Sequence, residues 1–408
     1  MNKVLRTLCF LCALASLYAG PPTLIAIRNA RVVTVSGPVI EKGSVLLKDG
    51  LIEAVGAEVK IPPAAWVIDG ERLTVYPGLI DGLSTVGMPE NAPATTSWVR
   101  AADQLSPGDA RIEKERGWGF TSAVVFPAKG IFAGQGAVVN LAGAKAGEMI
   151  VAAPAGEYAT LATSGSFGVF PGSLMGVMAH IRQVYLDAEH YRLARERYAR
   201  TPVGAKRPEY DRALEGVLES PRVLLPASRA VELDRMIRFA RGLKQPTVLY
   251  GGQEAYAAAD LVKRGGLPLL VSLKWPEKAK DSDPDVVDSM RTMEFREKAP
   301  SSPAALVKAG VKFALYTDGI KSGPELMRAM KRALEAGLEP LDAVRAMTLW
   351  AAEIYGVADR MGSIDKGKIG NLVVTDGELF REKTQVKYLF IDGVKYEPAP
   401  EVPEEATK

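Results

Sequence analysis

The chain has 408 residues, with 51 Lys and Arg against 48 Asp and Glu, for a formal charge of +3. A balance this close gives no electrostatic drive toward nucleic acid or an anionic surface as the main partner. The length exceeds the usual single-domain range of about 50 to 250 residues, and 47% hydrophobic residues can fill a large core, so one large domain and a smaller one are expected.

The first predicted element is a leader. Lys3 and Arg6 precede an apolar run from Leu8 to Tyr18, followed by Ala19 and Gly20, the pattern of a secretory signal peptide over residues 1–19. The run falls short of the roughly 20 apolar residues of a membrane span; a retained anchor is the alternative. Both cysteines, Cys9 and Cys12, lie inside the leader, so a processed chain would hold neither a disulfide nor a thiolate metal site. The expected product is soluble, periplasmic or secreted, with no stable membrane span. Removing Lys3 and Arg6 from +3 leaves a charge of about +1.

From Leu24 to Gly56 the runs LIAIRNARVVTV and GSVLLKDGLIEAVG read as strands, with Asp49-Gly50 as a tight hairpin turn. The tail repeats this chemistry, with Asp376-Gly377 and Asp392-Gly393 between β-rich runs. Neither end has strands enough to bury two faces alone. Residues 22–76 and 358–398 together are expected to close a small β-sandwich, leaving 399–408 as a flexible tail.

Residues 77–357 alternate strands with helices. Strand candidates are TSAVVFP, GAVVNLAG, EMIVAAP, RVLLPA, QPTVLYG, LPLLVSL and VKFALYTD; helix candidates are Ala230 to Leu243, Pro324 to Ala336 and Leu341 to Tyr355. This predicts an α/β fold, a (β/α)8 TIM-like barrel, with a doubly wound sheet left open by pattern alone. The glycine-rich stretch GIFAGQGAVVNLAG leads into a strand instead of opening a helix, which argues against a phosphate loop. It is expected to be a loop at the barrel mouth, with Gln135 as a substrate contact.

The only two histidines, His180 and His190, fall in a segment whose Leu174, Met178, Ile181, Tyr185 and Ala188 recur at helical spacing. On one helix they stand about 15 Å apart along the axis and cannot share a metal. Lys274 at the end of LPLLVSLK, Arg229 and Tyr250 are further pocket candidates, and Pro276 to Pro303 is expected to loop over the mouth. No G-x-S-x-G elbow is present.

Val75 to Gly87, VYPGLIDGLSTVG, resembles the opening of the barrel in the amidohydrolase superfamily, usually P-G-L-I-D-x-H-x-H, with Leu83 and Thr85 at the histidine positions. GFTSAVVFPAKGIFAGQGAVVNLAG resembles the second-strand region of an exported branch similar to imidazolonepropionase and metal-dependent dipeptidases, and GSIDKGKIGNLVV resembles the superfamily's return segment with Gly370-Asn371 in place of Ala-Asp. Against the family's H-A-H-R-A stands Pro226-Ala227-Ser228-Arg229-Ala230; against H-G-x-E-x-Y stands Gly251-Gly252-Gln253-Glu254-Ala255-Tyr256. Tyr316-Thr317-Asp318-Gly319 matches the T-D segment, so Asp318 is the one retained candidate, while the fourth-strand ligand has no assigned position.

The resemblance thus implies a two-domain amidohydrolase framework with a degenerate metal site and no metal cofactor, because zinc commonly needs three protein ligands. Three functions follow. The first is a catalytically degenerate subunit of an ancestral C–N hydrolase class that binds a small-molecule ligand or partners an intact relative or a second copy. The second is a metal-independent hydrolase or lactonase using Asp318, and the third an active metal-dependent C–N hydrolase with relocated ligands.

Overall fold

The computed structural model describes residues 23–89, 96–163, 170–278 and 287–398, so the expected leader and flexible tail lie outside the described residues. Five strands come first: β1 (Leu24–Val32), β2 (Ile40–Lys48), β3 (Leu51–Gly56), β4 (Trp66–Asp69) and β5 (Thr74–Pro77). In the middle lie β6 (Leu79–Ser84), β7 (Phe120–Val125), β8 (Phe132–Gln135), β9 (Ala137–Asn140), β10 (Ile150–Ala152), β11 (Glu157–Ala159), β12 (Val223–Ala227), β13 (Thr247–Gly251), β14 (Leu269–Ser272) and β15 (Phe313–Tyr316). Three more, β16 (Leu372–Thr375), β17 (Val386–Ile391) and β18 (Val394–Tyr396), lie at the far end. The principal helices are α1 (Ala110–Gly117), α2 (Leu174–Arg200), α3 (Ala230–Leu243), α4 (Met290–Lys298), α5 (Gly323–Glu335), α6 (Pro340–Ala346) and α7 (Leu349–Tyr355).

The two ends of the chain meet as expected, but in one continuous sheet of order β18-β17-β16-β5-β1-β2-β3, with β4 beside β1, where the sequence predicts a two-sheet sandwich. The reason is β5, which pairs in parallel with β1 on one edge and antiparallel with β16 on the other, so the ladder is never interrupted. Asp49 and Gly50 have φ of 50° and 85°, and Asp392 and Gly393 of 50° and 72°, the double left-handed geometry that Asp-Gly hairpin turns supply. The two turns face each other so closely that a Cβ on Gly393 would lie 2.8 Å from the Gly50 Cα.

In the middle, β6 pairs in parallel with β7, and β11 to β15 form a parallel run. Between these groups, β8 and β9 follow each other with only Gly136 between them. Here β8 is antiparallel to β11 and β9 to β7. The stretch expected to be a mouth loop is therefore mostly strand. Gly136 allows this passage, since a Cβ there would lie 2.2 Å from the Phe126 ring. Along the other edge β15 lies against β6 where Gly82 lacks a side chain; a Cβ on it would come 2.9 Å from the Leu315 carbonyl oxygen. No ladder joins β15 to β6 among the described residues, so a closed barrel is not formed by hydrogen bonds there.

Side chains alternate across these strands as period-two geometry requires. Ile80, Val124, Val138, Leu224, Val248, Leu270 and Ala314 gather in one buried cluster, while their neighbours Leu79, Val125, Val139, Val223, Leu249, Leu269 and Phe313 join the larger core. The predicted helix at Ala230 to Leu243 is α3. That at Leu341 to Tyr355 is divided into α6 and α7, because the Met347 carbonyl leaves the helix to accept the Ile80 amide at 2.7 Å. The expected loop from Pro276 to Pro303 contains α4, capped by the Ser289 side chain; residues 279–286 are outside the described set. On α2 the buried face is Val177, Ile181, Tyr185, Ala188 and Tyr191, whereas Leu174 is 51% exposed.

Between α2 and the strands lies an uncompensated polar cluster. Glu157 is fully buried and pairs across the ladder with Gln135; both its carboxyl oxygens, Gln135 Oε1 and Tyr185 Oη lack a well-formed hydrogen bond among the described residues. Burial pushes the Glu157 pKa well above the usual carboxylate range, softened only by the nearby Gly134 amide and Ser220 hydroxyl. A carboxyl with a raised folded-state pKa contributes its stability at low pH and loses it as pH rises through that value. Glu157→Gln, a neutral isostere, is expected to match wild type at pH 5 and to be more stable by about 1–3 kcal/mol at pH 9, read from urea midpoints. Equal destabilisation at both pH values would contradict a neutral buried carboxyl.

Candidate functional site

The carboxyl of Asp81, fully buried on β6, accepts hydrogen bonds from the Thr317 amide at 3.0 Å and the Thr317 hydroxyl at 2.6 Å. This contact brings the end of β6 to the end of β15. Around it opens a cavity of about 540 Å³ whose wall includes Leu83, Thr85, Glu115, Tyr158, Tyr316 and Asp318. The two residues at the family's histidine positions and the retained aspartate therefore meet at one place.

Asp318 is exposed and has a left-handed φ of 54°, a conformation uncommon for a residue with a side chain and frequent at functional sites. Its Oδ2 accepts from the Ser272 hydroxyl at 2.8 Å. Burial pushes Asp81 up to about 7 despite the bonds from Thr317, and burial together with the Asp81 charge raises Glu115 well above the carboxylate range. Burial, then the Asp318 charge, raises Tyr316, and burial raises Tyr158. The walls thus offer neutral carboxyl and phenol groups beside one exposed carboxylate.

The other predicted contacts scatter. Tyr250 stands behind the cavity, its ring 5.1 Å from Tyr158 and its hydroxyl donating to the Ala159 carbonyl at 3.1 Å. Gln135 is fully buried away from the cavity and donates to the Gly216 carbonyl at 2.9 Å, so the expected mouth contact is corrected. The reason is alternation: Gln135 shares its register position with Glu157, and the next residue, Tyr158, takes the opposite face. Arg229 is held by Glu254 at 3.1 Å and stacked 3.8 Å from the Phe295 ring. Lys274 is exposed, and among the described residues its backbone is engaged by Gln253 and Ser272. Sequence reading missed Tyr158, on a three-residue strand, and Glu115, in the charged run ARIEKERG. The available signal for Glu115 was its position three residues after Ile112, which shares its buried face.

A family-type metal centre does not fit these residues. Leu83 and Thr85 offer no imidazole and Pro226 has no donor. Gly251 has φ 113°, and a Cβ added to it would fall 2.4 Å from Ser228 Oγ and 3.0 Å from Ser228 Cα. His180 lies on α2 between the Phe132 and Phe170 rings, each 6.0 Å away. Among the described residues no group of three or more His, Cys, Asp or Glu could hold a metal ion. A larger cavity, about 690 Å³, lies elsewhere, between α5 and the C-terminal strands.

Residues 293–395 match the model of the amidohydrolase family. An amidohydrolase from Thermotoga maritima MSB8 is similar over 92% of this chain and 100% of that one, at 26% identity and a TM-score of 0.78. A Xaa-Pro dipeptidase solved with methionine in its active site aligns over 92% of this chain and 100% of its own, at 17% identity and a TM-score of 0.57, a likeness of fold. A stretch of 77 residues, 19% of this chain, is 34% identical to adenine deaminase 1 of Desulfotalea psychrophila and spans only 12% of that protein's length.

The Gly251 geometry gives a direct test. Gly251→Ala is expected to lower stability by about 1–3 kcal/mol, since it adds left-handed strain to a contact with the Ser228 backbone. A urea midpoint equal to wild type would show that a side chain, and hence an imidazole, can be accommodated there.

Proposed function

The chain is a member of the amidohydrolase superfamily, and from that premise we propose that it is a catalytically degenerate one, binding a small molecule at the cavity between β6 and β15 or supporting an intact relative. The observation that carries this reading is the convergence of Leu83, Thr85 and Asp318 on a retained cavity whose donors do not suit a metal. The proposal extends to architecture: β6, β7, the β8–β9 strand and β11 to β15 make eight staves of a barrel, and the single inner cluster drawn from them supports closure. The terminal sheet is the smaller domain, and export with loss of residues 1–19 belongs to the same reading. No helix among the described residues is long and apolar enough to cross a membrane.

One observation favours a second reading, a metal-independent hydrolase or lactonase. Asp318 is exposed at the cavity, fixed by Ser272 and placed on a left-handed backbone, where it could accept a proton from an attacking water. A screen of amides, dipeptides and lactones in metal-free buffer, with wild type and Asp318→Asn, separates the two. Binding, or co-purification of a related hydrolase, without turnover is the expected outcome. Turnover that falls at least about 100-fold in Asp318→Asn would favour acid–base catalysis instead.

A further inference from the structure

Glu115 belongs to the cavity wall although it is only 8% exposed, and its Oε2 is shielded from solvent with no hydrogen-bond partner among the described residues. A buried oxygen left unmatched in a cavity wall is costly in the free protein, and a turn of the side chain that brings it to the cavity would satisfy it with a ligand. Its surroundings decide which kind. From β6 it faces the buried carboxyl of Asp81 and the Ser84 hydroxyl; from its own helix end, Arg111 and Asp109, which pair with each other at 2.5 Å. Burial and the Asp81 charge outweigh the guanidinium and raise Glu115 well above the carboxylate range, which favours the protonated acid with an O–H to donate.

The same cavity carries Lys114 and Lys321, both exposed and neither ion-paired with a described carboxylate, and apolar walls at Trp118 and Phe126. Among the described residues lining the cavity Asp318 is the one exposed carboxylate, already held by Ser272, so an incoming negative group is favoured toward Glu115 and the lysines. We propose that the cavity binds a small aromatic or branched monocarboxylate, whose carboxylate accepts the Glu115 proton in a hydrogen bond and whose apolar body packs against Trp118 and Phe126. This rests on the ligand-binding reading above and names the class of ligand. Recognition is non-covalent: the proton is shared in a hydrogen bond and no bond is broken.

The test is calorimetric titration of the full processed chain, in chelator, with 3-phenylpropanoate, 3-phenylpropanamide and phenethylammonium as probes. The carboxylate is expected to bind at least about tenfold more tightly than the amide, with no binding of the ammonium. Lys114→Ala/Lys321→Ala should weaken the carboxylate about fivefold to tenfold, more at low salt than at high. Raising the pH should weaken wild type more than Glu115→Gln, because both gain the charge of Asp81 but the variant keeps a neutral donor at position 115. Equal binding of amide and carboxylate, preference for the ammonium, or identical pH profiles for wild type and Glu115→Gln would overturn the assignment. Should the Glu115 variant fail to fold, the lysine variant and the probe ranking still decide. Metal-free protein that binds none of the probes sinks the carboxylate assignment alone; binding that appears only on adding metal sinks the degenerate-site reading as well.

Discussion

The contact between Asp81 and Thr317 joins strand ends 236 residues apart, and the cavity exists where it does because of that contact. Two donated hydrogen bonds compensate a carboxyl that has no access to water, and a buried carboxyl without them would be strongly destabilising. The geometry then follows from the backbone. Leu83, near the end of β6, and Thr85, just past it, stand two and four residues beyond Asp81, and Asp318 comes immediately after Thr317 with a left-handed φ. Gly82 lets β15 approach closely enough for the contact to form, and the Tyr355 hydroxyl closes the same corner by donating to the Gly82 carbonyl at 2.6 Å.

Much of this arrangement was legible in the residues. The segment PGLID and the pair Thr317-Asp318 carry both partners of the joining contact, and the short, largely apolar runs at 223–227, 247–251 and 269–272 are strands buried on both faces. The Asp-Gly turns at both ends were readable for the same local reason, since few other dipeptides adopt two successive left-handed residues. What was not legible depends on partners distant in sequence. Strand β11 has three residues, too few for a period, and exists because β8 and β12 flank it. The first half of the glycine-rich stretch, Gly130 to Gln135, looked like a loop, and holds strand β8 because β11 supplied its hydrogen bonds, whereas GAVVNLAG was readable as the strand that contains β9. Gln135 looked like a mouth residue, and the register with Glu157 turned it away.

The cavity therefore separates two things that a family resemblance usually delivers together. The framework that gathers the strand ends is held by hydrogen bonds, glycine contacts and core packing that require no metal. On the proposed degenerate reading, the chemistry of the site depends on side chains at its rim: a leucine and a threonine where the resemblance places imidazoles, and a glycine whose φ and contact with Ser228 leave no room for one. Fold and activity are separable in this way because function lives in the site. What the rim retains are neutral donors, Glu115, Tyr158 and Tyr316, kept protonated by burial, with cationic side chains around them. On the proposed reading, such a surface holds an oxygen-rich ligand and does not activate water with a metal.

Elemental analysis of the purified protein after dialysis without chelator addresses this most directly. Zinc, manganese and iron each well below one equivalent per chain is the outcome that follows from the donor set. One or two equivalents of a single metal, retained through dialysis and removed only by a chelator, would contradict it and place a working metal centre among residues assigned no such role above.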